Sequence, residues 1–284
     1  MNVTYTSSNG KSFELTGSMN MRLKDARFHS FAWQAEMTEK RFGSRVDKWK
    51  KESAVYPASF VFRGSAQERR QMLDAFHTAI ERDMFYNSPG RLTWGDWYIS
   101  CFIQSSETYP SEGSDTDTIN DVEILCPSSL WISEQTISIG PTNQIILRDT
   151  DKRYDLSYGY PYSYQANSGL SKMIYIDHYA PCDFRAVLHG PQANVNITIG
   201  NVSLQVSHAI PESGYMVIDT REEIPADKHC YLVAGGVETN CFNDRNPECT
   251  LLDRVEPGNI TVTYNRHSEL DLTIYRRRGE PTWN

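Results

Sequence analysis

The feature that most constrains this chain is a two-residue hydrophobic period that recurs along nearly its whole length. "SFELTG", "FHSFAWQAEM", "ASFVFRG", "DWYISCFIQ", "NDVEILCP", "TISIG", "NQIILRD", "NVNITIG", "SLQVSHAI", "GYMVIDT", "NITVTY" and "LDLTIYRR" alternate apolar and polar residues or run apolar over strand length. Successive side chains of a strand point to opposite faces, so such segments bury one face and leave the other to water. Turn residues separate them, which is the pattern of antiparallel sheets packed as sandwiches. The 16 tyrosines suit the same reading, because aromatic residues favour strands.

One stretch breaks the period. In "GSAQERRQMLDAFHTAIERDMF", Ser65 can cap a helix and Glu68 stands where a capping box needs it. Met72, Leu73, Phe76 and Ile80 then recur at helical spacing and form one apolar stripe. The helix is expected to lie across a sheet face, with His77 beside the stripe as a packing or surface residue. The first half therefore reads as α+β and the second as nearly all-β, so the fold class is mainly β.

A chain of 284 residues suggests roughly two domains of about 150 residues each. That length buries a sizeable core without disulfides or metals. The boundary is expected after "CPSSLWIS": a first domain over residues 1–135, a connector over 136–169 that includes the Tyr-, Gly- and Pro-rich "YDLSYGYPYSY", and a second domain over 170–284. No apolar run approaches the ~18 residues of a membrane span. The start "MNVTYTSSNGKSFELTG" lacks a basic region followed by an apolar one. A soluble protein made in a cytoplasm is expected, with no membrane partner.

A net charge of −8 argues against nucleic acid as a partner, which needs clustered positive charge. Arg276, Arg277 and Arg278 are then local. They are expected to leave the end of a last strand, "DLTIY", with Pro281 turning the chain so that Trp283 packs back on the domain.

The chemistry is quiet. Cys101, Cys126, Cys182, Cys230, Cys241 and Cys249 have long, irregular spacings, and free thiols are expected, with Cys101 and Cys126 in the core. Cys230, Cys241 and Cys249, with His229 beside them, lack any C-x2-4-C pair, so no metal site is expected. "GSDTDTIND" offers Asp115, Asp117 and Asp121, but Ile119 stands where a calcium ligand should be and no glycine follows it. There is no nucleophile elbow, phosphate loop, zinc-protease motif or dinucleotide fingerprint. Asp96, Asp121, Glu123 and Asp219 sit in ordinary strand or turn contexts. No catalytic residue and no cofactor is expected.

The order of the segments carries more than any one of them. "ASFVFRGSAQERRQMLDAF", "SPGRLTWGDWYISCFIQSS" and "NDVEILCPSSLWIS" are followed by "VLHGPQANVNITIGN", "PESGYMVIDTREE", "VEPGNITVTYN" and "LTIYRRRGEPTWN". In this order, over nearly the whole length, the chain resembles the distal tail proteins of long-tailed, non-contractile bacteriophages. The longer Tyr-rich connector departs from that pattern.

The resemblance implies a structural part rather than an enzyme. It implies a ring of copies, commonly six-fold, at the virion tail tip, assembled in the bacterial host cytoplasm. The implied partners are further copies of the chain, the tail tube protein, and the tail-tip lysin or fibre and receptor-binding protein. The first domain would be a β-sandwich with one helix and an arm hairpin that embraces the neighbour. The second would be a galectin-like or carbohydrate-module-like β-sandwich.

"EKRFGSRVDKWKKESAVYP" falls where the arm would be, with Arg41, Arg45, Lys48, Trp49 and Lys51 as its interface residues. The receiving surface is expected on "DWYISCFIQ" and "NDVEILC". The alternative is a carbohydrate-binding protein acting through the second sandwich, with Tyr158, Tyr160, Tyr162 and Tyr164 stacking on sugars, although the ordered His-Asn-Arg and Trp-Glu-Arg sets of galectins are missing.

Overall fold

The computed structural model describes residues 2–17, 20–112, 114, 116–140, 169–265 and 269–282. The chain divides into two compact units, Met1–Ser133 with Arg277–Asn284, and Glu134–Arg276. The division falls inside two strands, at Ser133 and Glu134 in one and at Arg276 and Arg277 in the other.

The first unit contains β1 (Val3–Thr6), β2 (Ser12–Glu14), β3 (Met21–Ala26), β4 (Gln34–Glu39), β5 (Ser44–Lys50), β6 (Ala54–Arg63), α1 (Ala66–Phe85), β7 (Gly90–Trp94), β8 (Trp97–Pro110), β9 (Asp117–Cys126) and the start of β10 (Trp131–Ile139). One sheet runs β2–β1–β7–β8, and β10 joins β8 through Ile132 and Tyr98. A second runs β3–β6–β9–β8. Strand β8 serves both: Trp97–Cys101 pair with β7, Phe102–Pro110 pair with β9, and the register shifts between Ile103 and Ser105. A bulge bends a strand and increases its twist, which lets one strand turn from one sheet into the next. The core between the sheets includes Tyr5, Phe28, Phe60, Phe62, Leu92, Ile99, Ile124 and Trp131.

Helix α1 begins as the sequence predicts. Ser65 Oγ accepts from the Glu68 N–H, and the Glu68 carboxylate accepts from the Ser65 N–H at 2.8 Å, a complete capping box. Phe76 and Ile80 are buried, and Met72 and Leu73 pack partly against the same core. Phe76 makes edge-on contacts with Tyr5, Phe13 and Phe60. His77 lies beside that stripe, within 3.2 Å of the Ser106 hydroxyl.

The second unit holds the remainder of β10, then β11 (Gly169–Ile176), β12 (Asp183–His189), β13 (Val195–Ile199), β14 (Val202–Val206), β15 (Tyr215–Asp219), β16 (Cys230–Ala234), β17 (Val237–Asn240), β18 (Gly258–Asn265) and β19 (Glu269–Arg278). Here β17–β16–β15–β12–β19, with β10 beside β19, make one sheet, and β11–β18–β13–β14 make the other. Within the described residues β11 with β18, β12 with β15 and β19, β13 with β14 and β18, and β16 with β15 and β17 pair antiparallel, and inward-facing Val, Ile and Leu from both sheets form a second core. Each unit is thus a sandwich, and α1 is the only α-helix among the described residues.

Two local expectations change, and a third stretch is only partly described. "FHSFAWQAEM" is not one strand: Phe28 is buried in the first core, but Phe31 and Trp33 are exposed and β4 starts only at Gln34. In the calcium-like stretch Asp115 lies outside the described residues, while Asp117 opens β9 and pairs with Arg63 at 3.2 Å. The three arginines do not leave the last strand. β19 continues through Arg278, all three are half-buried, and Arg278 stands over the Trp97 ring at 5.6 Å. Pro281 is buried, while Trp283 lies outside the described residues. All six cysteines are unpaired, with Cys101 and Cys126 fully buried.

Candidate assembly interface

Among the described residues, strands β4 and β5 pair only with each other, as a two-stranded sheet separate from the sheets of either sandwich. From Phe31 to Lys50 every residue except Ala35 is exposed. A hairpin of this kind lacks the hydrophobic backing that normally stabilises two strands in water. Its turn is closed by the Lys40 N–H donating to the Gly43 carbonyl at 2.8 Å. Gly43 has φ +90, a left-handed value that a residue with a Cβ resists.

The register gives the hairpin two unlike faces. Ala35 pairs with Trp49 and Met37 with Val46, while Gln34 pairs with Lys50, Glu36 with Lys48 and Thr38 with Arg45. Directly opposed residues share a face. Val46 and Trp49 are three apart, which in a regular strand would send them to opposite faces. The register shift between Glu36 and Met37 inserts Asp47 as an extra residue and brings both to one side. The result is an apolar strip of Ala35, Met37, Val46 and Trp49, with Met37 61% and Trp49 58% exposed.

The opposite face is charged. Arg45 reaches Asp47 at 2.5 Å, and Asp47 also accepts from Thr38 Oγ1. These two hydrogen bonds, Thr38 first, hold the Asp47 carboxyl below its ordinary value.

The five residues expected at the interface are therefore not equivalent. Trp49 is on the apolar strip and Lys48 on the charged face. Arg45 is tied to Asp47, and Arg41 sits at the tip with its guanidinium 5.3 Å from the Phe42 ring centre. Lys51 belongs to the root of the arm. Its ammonium donates to the carbonyls of Ser129 at 2.5 Å and Gly279 at 3.2 Å and faces the rings of Phe31 and Trp33. Burial lowers its pKa. Ser129 Oγ in turn donates to the Glu52 carbonyl, so the arm leaves the body from a braced base.

Elsewhere on the first unit, β6, β9 and β8 carry a polar groove of about 550 Å³. Among the described residues, Asp25, Glu107, Asp121 and Glu123 line it with one cation, Arg27. Two of these carboxylates are held by neighbours: Ser59 donates to Asp121 at 2.5 Å, Tyr109 donates to Asp121 at 2.8 Å, and Gln104 donates to Glu123 at 3.0 Å. β8 and β9 are the strands on which the receiving surface was expected. Sequence reading did not single out Asp25 or Glu107, because isolated acids on strand edges carry no signature. Tyr158, Tyr160, Tyr162 and Tyr164 lie outside the described residues.

No family model matches this sequence, and no curated protein sequence matches it. Solved structures do. The Dit protein (gp 19.1) of phage SPP1, described as a paradigm of the hub adsorption apparatus in phages infecting Gram-positive hosts, matches with a TM-score of 0.57 at 9% identity, over 97% of this chain and 99% of that one. The phage P2 baseplate in its activated conformation with Ca matches with a TM-score of 0.58 at 9% identity, over 99% of both chains. The same baseplate with Sr gives 0.56 at 10% identity, again over 99% of both. What is shared at these identities is the fold, and it is the fold that the order of segments led us to expect.

Proposed function

We propose that this chain is a structural component of a phage tail tip, a distal tail protein whose copies close into a ring. The observation that carries this reading is the arm: an extended hairpin with an exposed apolar strip, on a fold shared with phage hub and baseplate proteins. A ring requires a heterologous contact, in which one patch meets a different patch on the next copy. The arm supplies the first patch. The acidic groove of β6, β9 and β8 supplies the second, met by Lys48 and Lys50 on the charged face of the arm and by Lys40 and Arg41 at its tip, while the apolar strip on the other face packs against the neighbouring subunit beside the groove. Trp49 is the anchor, since hot spots concentrate in large aromatic side chains that become buried on contact.

The ring, six-fold in this reading, joins the tail tube protein to the tail-tip lysin or fibre and the receptor-binding protein. It does so at the virion tail tip after assembly in the host cytoplasm. The second sandwich acts as a galectin-like module. No catalysis is assigned to either unit.

The test is the size of the purified full chain by light scattering across concentrations, with negative-stain images of the particles. Closed rings are expected. Trp49→Ala should weaken each contact by about 2 kcal/mol while leaving the subunit folded. A folded monomer at the highest concentration reached, unchanged by an added tail tube protein, overturns the proposal.

A further inference from the structure

His208, Cys241 and Asp244 each place one metal-binding atom in a common cluster, all within 4.8 Å of one another. They come from three places in the second unit. His208 follows β14, Cys241 follows β17, and Asp244 ends a 3-10 turn over Phe242–Asp244. Backbone hydrogen bonds hold the three together. The Ser207 N–H donates to the Asp244 carbonyl at 2.9 Å, the Asp244 N–H to Cys241 at 3.0 Å, and the Cys241 N–H to Cys230 at 2.9 Å. Val206 and Arg245 form a bridge beside them. The cluster is thus fixed by main chain rather than by mobile side chains.

We propose that this cluster is a zinc site, with Cys241 Sγ, His208 Nδ1 and one Asp244 carboxylate oxygen as ligands. His208 Nδ1 already lies 2.8 Å from Asp244 Oδ2. Ligand atoms of a tetrahedral zinc site stand about 3.5 Å apart, so small side-chain rotations close the set around an ion. The donors select the metal. A thiolate with an imidazole suits zinc and disfavours magnesium or calcium, which take oxygen ligands.

The charges also balance, since one thiolate and one carboxylate neutralise a divalent ion. Cys241 is fully buried, whereas the side chains of His208 and Asp244 are 32% and 43% exposed. The fourth position therefore opens to solvent and takes a water. The Cys241 thiol points to the Thr239 carbonyl at 3.4 Å. On binding, the Cys241 S–H bond breaks, the S–Zn bond forms and the thiol proton goes to solvent, while the His208 proton shifts from Nδ1, where it faces Asp244, to Nε2 so that the Nδ1 lone pair forms the N–Zn bond. His229, adjacent in sequence to Cys230, is not part of the cluster; its Nδ1 is 2.7 Å from the Asp219 carbonyl. Such an ion would fasten the 241–244 turn to the loop after β14.

The test uses the full chain, purified under reducing conditions, stripped with chelator and reloaded with zinc chloride or cobalt chloride. Stoichiometric zinc by elemental analysis, a thiolate-to-cobalt charge-transfer band and a zinc-dependent rise in melting temperature are expected. Loss of a ligand should weaken binding no less than the roughly 10–100-fold that loss of a supporting partner costs. His208→Ala and Asp244→Asn, both at partly exposed positions, should show that loss, and His229→Gln should not. Cys241→Ser should abolish the charge-transfer band. Where Cys241→Ser fails to fold, the other two variants decide. Failure of the reduced chain to bind zinc, zinc binding unchanged in His208→Ala and Asp244→Asn, or a charge-transfer band that survives Cys241→Ser overturns the proposal.

Discussion

The Tyr5 hydroxyl donates to Asp83 Oδ2 at 2.6 Å, tying the second residue from the end of β1 to the last turns of α1. Asp83 is fully buried, and its other oxygen accepts from Ser7 Oγ, Ser8 Oγ and the Ser8 N–H at 2.6–2.9 Å. A buried carboxylate is tolerated when its lone pairs are filled, and here four donors fill them. The helix is thereby locked to the first strand as well as packed on it.

Asp83→Ala should therefore destabilise the chain well beyond the loss of a surface acid. It strands the Tyr5 and Ser7 donors in the core, at about 3 kcal/mol or more. Denaturant unfolding followed by far-UV circular dichroism measures this, and a loss below about 1 kcal/mol would contradict the assignment of Asp83 as a hub.

The same residue sets an acid limit. Burial alone would raise the Asp83 carboxyl, but the hydrogen bonds from Ser8, Tyr5 and Ser7 outweigh it and hold the pKa below its ordinary value of 3.8. A depressed folded-state pKa contributes stability that is present above the unfolded value and lost as pH falls through the folded one. The melting-temperature gap between the native chain and Asp83→Asn should be constant near neutrality and shrink only below about pH 4. A gap that widens on acidification would reverse the sign.

Lys51 and Trp49 should separate in their effects. Lys51→Ala removes the donor to two carbonyls at the arm root and should cost about 1–2 kcal/mol of subunit stability, with faster proteolysis of the arm. Trp49→Ala, at an exposed position, should leave the melting temperature of the isolated subunit unchanged. Limited proteolysis and calorimetry on both variants distinguish root from strip.

Gly190 should not accept a side chain. A Cβ there would meet the Pro211 carbonyl oxygen at 1.9 Å. Because the obstacle is backbone, it cannot rotate away, and Gly190→Ala should destabilise by at least about 2 kcal/mol. Thermal melting of the variant checks it.

Alkylation of the denatured chain in chelator without reductant should modify all six cysteines, which are unpaired in the fold. Mass spectrometry that finds a pair left unmodified would point to a disulfide instead.

Some of this was legible in the residues alone. The two-residue period of "NDVEILC", the apolar run of "GYMVIDT" and the capped helix from Ser65 depend on neighbours a few positions away, so local sequence determines them. Other strands gave little sign: "MRLKDA" is half charged and becomes β3 because β6 offers it an edge, while "VETN" becomes β17 against β16. The candidate sites were harder still. Val46 and Trp49 share a face only because the cross-strand register inserts Asp47, Lys51 joins the arm root only because Ser129 and Gly279 are brought to it, and His208 meets Cys241 only through the pairing around Asp244. Register, bulges and burial arise from contacts between distant parts of the chain, and a one-dimensional pattern carries no term for them; strand period and helix capping are short-range, and for those the sequence sufficed.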